Sequence, residues 1–152
     1  LMPGLINAHT HVPMTLLRGL ADDLRLDVWL LGYMMPVERE FVSPDFVRLG
    51  TQLACAELIR SGVTCFADMY YFEHHVAKAT AEVGLRAVCG QTVLKFPAPD
   101  ARDCEESLAA EVRGWFKLAM ARRESLRVTL GRLNEQQLLT YSEPRSAQPK
   151  KA

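Results

Sequence analysis

Two histidines stand one residue apart, at positions 9 and 11. Side chains alternate across a strand, so residues two apart share a face. In a strand, His9 and His11 would point the same way, with Leu5 and Asn7 on that face. Two imidazoles one pleat apart can reach a single divalent ion, and neutral imidazole is a common zinc ligand. The spacing alone also fits two ordinary histidines near a strand end. The context argues for ligands. The pair closes the apolar run Pro3-Gly4-Leu5-Ile6-Asn7-Ala8, and such a strand has little structural reason to end in two imidazoles. The other two histidines, His74 and His75, follow Glu73 at the start of a helix and read as solvated residues of its first turn.

The elements that must position the pair follow from pattern. Pro3 to Val12 predicts a short strand. Residues 13–42 read as irregular, with one short helix over Asp27–Met35 whose Trp29, Leu30 and Tyr33 share a face. Ser43-Pro44 is a strong helix start, with Ser as cap and Pro at the first position. That helix runs to about Arg60, where Ser61-Gly62 ends it. Its two apolar stripes, Phe46-Leu49-Leu53 and Val47-Ala54-Leu58, predict burial on more than one side. Val63 to Tyr70 is a strand, Glu73 to Val83 a helix closed by Gly84, and Arg86 to Leu94 a third strand. Glu105 to about Arg123 is a helix with Leu108, Val112 and Trp115-Phe116 on its apolar side. Leu126–Leu130 fits one more strand. Strands alternating with helices predict a parallel α/β architecture, either a doubly wound sheet or part of a (β/α)8 barrel. A full barrel takes about 250 residues, so three units fill only part of one.

Composition bounds the rest. The chain has 152 residues, 49% of them hydrophobic and 24% charged, the range of globular proteins with a core. No apolar run is long enough to span a membrane. The start lacks the basic and apolar regions of a secretory leader, which points to the cytoplasm. Opening on Leu1-Met2-Pro3-Gly4, the sequence suggests a late start at Met2 or a chain cut from a longer one. The four cysteines, at 55, 65, 89 and 104, form no CxxC pair and read as reduced thiols. Charge is uneven. Residues 1–112 hold 9 Lys and Arg against 15 Asp and Glu, whereas residues 113–152 hold 9 against 3. Residues 141–152 are polar, basic and Pro-containing, the composition of a disordered tail. Without interleaved aromatics that tail is no nucleic-acid site.

Pro3-Gly4-Leu5-Ile6-Asn7-Ala8-His9-Thr10-His11 resembles the first-strand motif of the amidohydrolase superfamily. The run from Pro13 to Asp23, Trp29-Leu30, Pro36-Val37-Glu38, Ser61-Gly62-Val63-Thr64, Asp68-Met69-Tyr70 and Gly84-Leu85-Arg86 narrow it. As a set they resemble the 5-methylthioadenosine/S-adenosylhomocysteine deaminases and the related triazine chlorohydrolases. The likeness covers roughly the first 100 residues. It implies a (β/α)8 barrel and one divalent ion, usually zinc, held by the HxH pair, a third His and an Asp. It implies a water activated by that ion, attacking the ring carbon that bears the amine of a small purine nucleoside. By position, His9 and His11 are the metal ligands. Glu38 matches a carboxylate that accepts hydrogen bonds from ribose hydroxyls. Trp29 matches an aromatic near the substrate, although plain core packing accounts for it nearly as well.

The sequence departs from the family in places. Gln91 stands where some members carry an Arg, which leaves the substrate open between purine deamination and dechlorination. The fourth-strand His has no counterpart near Gly131-Arg132-Leu133-Asn134. The expected organisation is an N-terminal part of the barrel over residues 1–116, about three βα units. A divergent extension over 117–140 and the basic tail over 141–152 complete it. Two readings follow. One is a fragment of a carbon–nitrogen hydrolase that supplies half of a metal site and no catalytic base. The other is a non-catalytic metal-binding or dimerising remnant, its exposed sheet edges paired with a second copy.

Overall fold

The computed structural model describes residues 1–94 and 97–121. The chain divides into one unit over Leu1–Leu118 and a second over Ala119–Ala152. The strand expected at Leu126–Leu130, the basic tail and most of the 117–140 extension lie outside the described residues. Among the described residues no helix is long and apolar enough to cross a membrane.

Three parallel strands form the sheet in the order β1 (Leu5–Thr10), β2 (Val63–Tyr70), β3 (Arg86–Gln91). Helix α3 (Pro44–Arg60) connects the first two and α4 (Glu73–Val83) the second and third. α5 (Cys104–Ala121) follows β3. Sequence neighbours are therefore sheet neighbours, each joined through a crossover helix, as parallel strands require. Val47, Cys55, Phe66 and Val76 are fully buried between α3, α4 and β2. Removing each such side chain from water contributes about 1.5–3 kcal/mol.

Local chemistry explains the helix ends. Ser43 is extended, and its Oγ accepts from Phe46 N–H at 3.2 Å. Ser43→Ala is expected to cost about 1 kcal/mol, read as a lower urea midpoint with unchanged slope. An unchanged midpoint would show that the cap contributes nothing. α4 ends at Gly84, whose φ of 91° only glycine adopts without strain. α5 begins at Cys104 because Asp103 Oδ1 accepts from Glu106 N–H at 2.8 Å.

Four expectations change. First, β1 stops at Thr10, and Val12–Leu17 forms a 3-10 helix with Pro13 in its first turn. Proline fixes φ in the helical range and has no N–H for a ladder. Second, the short helix is part of a longer helical stretch. It comprises α1 (Leu26–Val28), a π-helical segment (Trp29–Met34) and α2 (Met35–Phe41). Pro36 cannot donate to the Gly32 carbonyl, and the wide turn with Met35 N–H on Leu30 O precedes it. Leu30 and Tyr33 remain exposed, with Trp29 half-buried, so these three build no buried face. Third, α3 buries only one stripe, through Val47, Gly50, Thr51, Ala54 and Cys55. Leu49 and Leu53 are exposed, because the 3-10 turn, α4 and β2 pack against the other side of the helix. Fourth, β3 ends at Gln91, although Thr92 N–H still bonds Tyr70 O at 2.9 Å.

Candidate metal-binding site

The β1–β2 ladder is irregular. Leu5 pairs with Val63 but Ile6 with Cys65, and Asn7 pairs with Phe66 but Thr10 with Asp68. The second step puts an extra β1 residue in the strand at Ala8–His9. Simple alternation from Leu5 and Asn7 therefore does not carry through to the histidines. Asn7 Oδ1 accepts from His9 N–H at 3.2 Å inside this irregularity. Strand bulges of this kind re-aim side chains beside functional sites.

The two histidines are nonetheless brought together. Their ring centroids lie 5.1 Å apart, with the planes at 82°. His11 Nδ1 lies 2.6 Å from the Met69 carbonyl oxygen. A carbonyl only accepts, so Nδ1 carries the proton and Nε2 keeps its lone pair. Metal-ligating imidazoles characteristically have such a bond on the far side of the ring. The pair thus fits two positions of a divalent-ion shell. Among the described residues no cluster of three or more His, Cys, Asp or Glu is disposed to hold an ion.

A buried polar group lies behind the pair. The Tyr70 ring centroid is 6.4 Å from that of His11, and Tyr70 donates to Glu38 Oε1 at 2.9 Å. Tyr71 donates to Oε2 at a longer 3.5 Å. Glu38 is 5% exposed. Burial pushes its carboxyl above the ordinary carboxylate range, while the two hydroxyls and nearby His11 pull it back. Burial and the Glu38 charge push both tyrosine hydroxyls far up, so they act as fixed donors. A groove beside His11, lined in part by Asn7, Thr10, Thr15 and Glu57, includes neither Glu38 nor Trp29.

Gln91 is engaged locally. It accepts from Glu73 N–H at 3.3 Å and donates to Thr92 O and to the Asp100 carboxylate. His74 and His75 are half-buried rather than solvated. α5 packs onto His74: a Cβ on Gly114 would stand 2.8 Å from its ring. Burial, then Lys78, pulls the His75 imidazole down. The four cysteines form no disulfide, with Cys55 buried and Cys104 exposed.

Sequence reasoning missed the roles of Asp68, Tyr70 and Tyr71. Asp68 shares the buried face of β2 with Phe66 and Tyr70. A carboxylate at the period of a buried strand face is a readable signal.

Comparison with known proteins sets these features in context. The amidohydrolase family profile matches residues 1–134, beyond the roughly 100 residues that carry the motifs and into the stretch expected to diverge after residue 116. A 5-methylthioadenosine/S-adenosylhomocysteine deaminase from Thermodesulfovibrio yellowstonii is 50% identical over 109 residues, covering 72% of this chain and 25% of that protein. The protein of the same name from Syntrophobacter fumaroxidans is 54% identical over 107 residues, covering 70% and 24%. The chain thus spans about a quarter of the length of these curated relatives. A crystal structure of an adenosine deaminase from Xanthomonas campestris with bound zinc is 44% identical. It superposes with a TM-score of 0.72 over 81% of this chain and 27% of that one. The atrazine chlorohydrolase of Arthrobacter aurescens, at 18% identity and TM-score 0.64 over 82% and 32%, shares the fold alone.

Proposed function

The chain belongs to the amidohydrolase family, and from that premise we propose that it supplies the opening βα units of a (β/α)8 barrel hydrolase. The reaction is hydrolysis of a carbon–nitrogen bond. The substrate is an aminated purine nucleoside of the 5-methylthioadenosine or S-adenosylhomocysteine type, as the names of the half-identical relatives suggest. The observation that carries this reading is the His9–His11 pair, with its rings 5.1 Å apart and His11 Nδ1 held on Met69 O. His9 and His11 would hold a divalent ion, with zinc the leading candidate. When bound, such an ion supplies Lewis acidity that brings the pKa of water toward neutrality.

The chain's own residues then orient the parts. The Met69 carbonyl holds the His11 ring. Tyr70 fixes Glu38 Oε1, which leaves the more loosely held Oε2 to accept a ribose hydroxyl. Trp29 supplies an aromatic wall for the base. The third His, the Asp ligand and the proton-transfer groups belong to the remainder of such a barrel. The 152-residue chain alone is therefore expected to release negligible ammonia, since two ligands hold an ion weakly.

The test is a chimera in which the matching segment of a curated relative is replaced by this chain's. We expect zinc-dependent ammonia release from methylthioadenosine, abolished by His9→Ala or His11→Ala. A folded, zinc-loaded chimera without that activity would contradict the assignment.

A further inference from the structure

Asp68 has no part in the reading above, yet it is 4% exposed and beside the histidine pair in the sheet. Its Oδ1 accepts from Val12 N–H at 2.7 Å. The Thr10 hydroxyl lies 2.7 Å from the same oxygen and 2.7 Å from Ala67 O, so its single proton serves those two acceptors. One carboxylate oxygen thus ties down the residues on both sides of His11. The backbone needs that tie. The β1–β2 register shifts between Asn7 and Thr10, and His11 itself, at φ −133° and ψ 70°, is neither strand nor helix. A regular ladder does not hold this point. Asp68 Oδ2 is buried with no donor among the described residues. Keeping a carboxylate there is costly unless its other oxygen does something a neutral apolar residue would not.

We propose that Asp68 is a positioning residue for the metal-binding pair: it holds the Thr10 hydroxyl and the Val12 N–H so that the His11 ring between them keeps its Nδ1 proton on the Met69 carbonyl and presents Nε2. The inference rests on the metal reading of His9 and His11. Asp68 is not counted as a ligand, since among the described residues no three or more His, Cys, Asp or Glu are disposed to hold one ion.

The experiment uses the full chain labelled with 15N-histidine. Imidazole 15N shifts, taken where the ring is neutral, report the His11 tautomer without metal. A cobalt(II) titration, with its d–d bands, reports the pair as a site. In the wild type His11 is expected as the Nδ1–H form. Asp68→Ala should move the ring toward the Nε2–H form and weaken cobalt binding by about tenfold. Asp68→Asn, whose carboxamide oxygen can accept both bonds, should restore both readouts. If Asp68→Ala does not fold, Thr10→Val removes one arm of the clamp and must still shift the tautomer population. An unchanged tautomer in a folded Asp68→Ala, or in Thr10→Val in its place, would overturn the proposal. So would an Asp68→Asn variant as impaired as Asp68→Ala. A tautomer set by Asp68 in a wild-type chain that binds no cobalt would leave the clamp standing and sink the metal reading instead.

Discussion

Gly50→Ala should destabilise the protein strongly, although Ala is the better helix former. On propensity alone the exchange gains about 1 kcal/mol in a helix interior. Here α3 crosses the 3-10 turn at closest approach through Gly50. A Cβ there would stand 2.5 Å from the Pro13 carbonyl oxygen and 2.9 Å from Pro13 Cα. Both are backbone atoms in a buried segment, so no side chain can swing aside. Overpacking of this kind costs about 1–3 kcal/mol and occasionally more. With backbone on the far side we expect a net loss of about 2 kcal/mol or more. Urea unfolding should show a lower midpoint with an unchanged slope. A variant as stable as wild type would mean that α3 and the turn do not meet as described. The effect also reaches the site, because Pro13 follows Val12, whose N–H is on Asp68.

The second large effect concerns Glu38. Tyr70→Phe removes the 2.9 Å donor from a buried carboxylate and leaves only the 3.5 Å contact from Tyr71. An under-satisfied buried acceptor costs about 1–3 kcal/mol. The pH dependence has a definite sign. Burial raises the folded-state pKa of Glu38 above its ordinary 4.5. The group's contribution to stability is therefore fully present below 4.5 and is lost as pH rises through the raised value. The Tyr70 hydroxyl limits that rise, so the penalty of Tyr70→Phe should grow from acid to neutral pH. Glu38→Gln should remove this dependence and gain on the wild type as pH rises. Unfolding curves at several pH values measure both. A parallel pH profile for Glu38→Gln and wild type would show that Glu38 titrates normally.

Much of the frame was legible because it rests on local chemistry. Ser43-Pro44 and Gly84 mark helix ends through a hydroxyl acceptor, a fixed φ and a left-handed residue. The β-branched and aromatic run Val63–Tyr70 marks a strand. Family resemblance rested on the motif around His9 and His11. What the sequence did not show depends on distant partners. Pro13 and Pro36 announce interruptions, but the 3-10 turn and the π-helical segment they produce depend on which carbonyls go unserved. The register shift in β1 is set by pairing with β2, whose partners lie 58 or 59 residues on, and it leaves no mark in the alternation of Leu5 to His11. The burial of Glu38 under two tyrosines was not legible, since Tyr70 and Tyr71 meet it only across the fold. The apolar stripe Phe46-Leu49-Leu53 predicts burial, while in the fold of the described residues Phe46 packs against the core and Leu49 and Leu53 stay exposed.

His9 and His11 are proposed to form one metal-binding unit. Titration of the full chain with zinc, followed by competition with a chromophoric chelator, tests it most directly. One weak site is expected, made about tenfold or more weaker by either His9→Ala or His11→Ala and untouched by His74→Ala with His75→Ala. Zinc binding that survives loss of both His9 and His11, or that disappears with His74 and His75 instead, would contradict it.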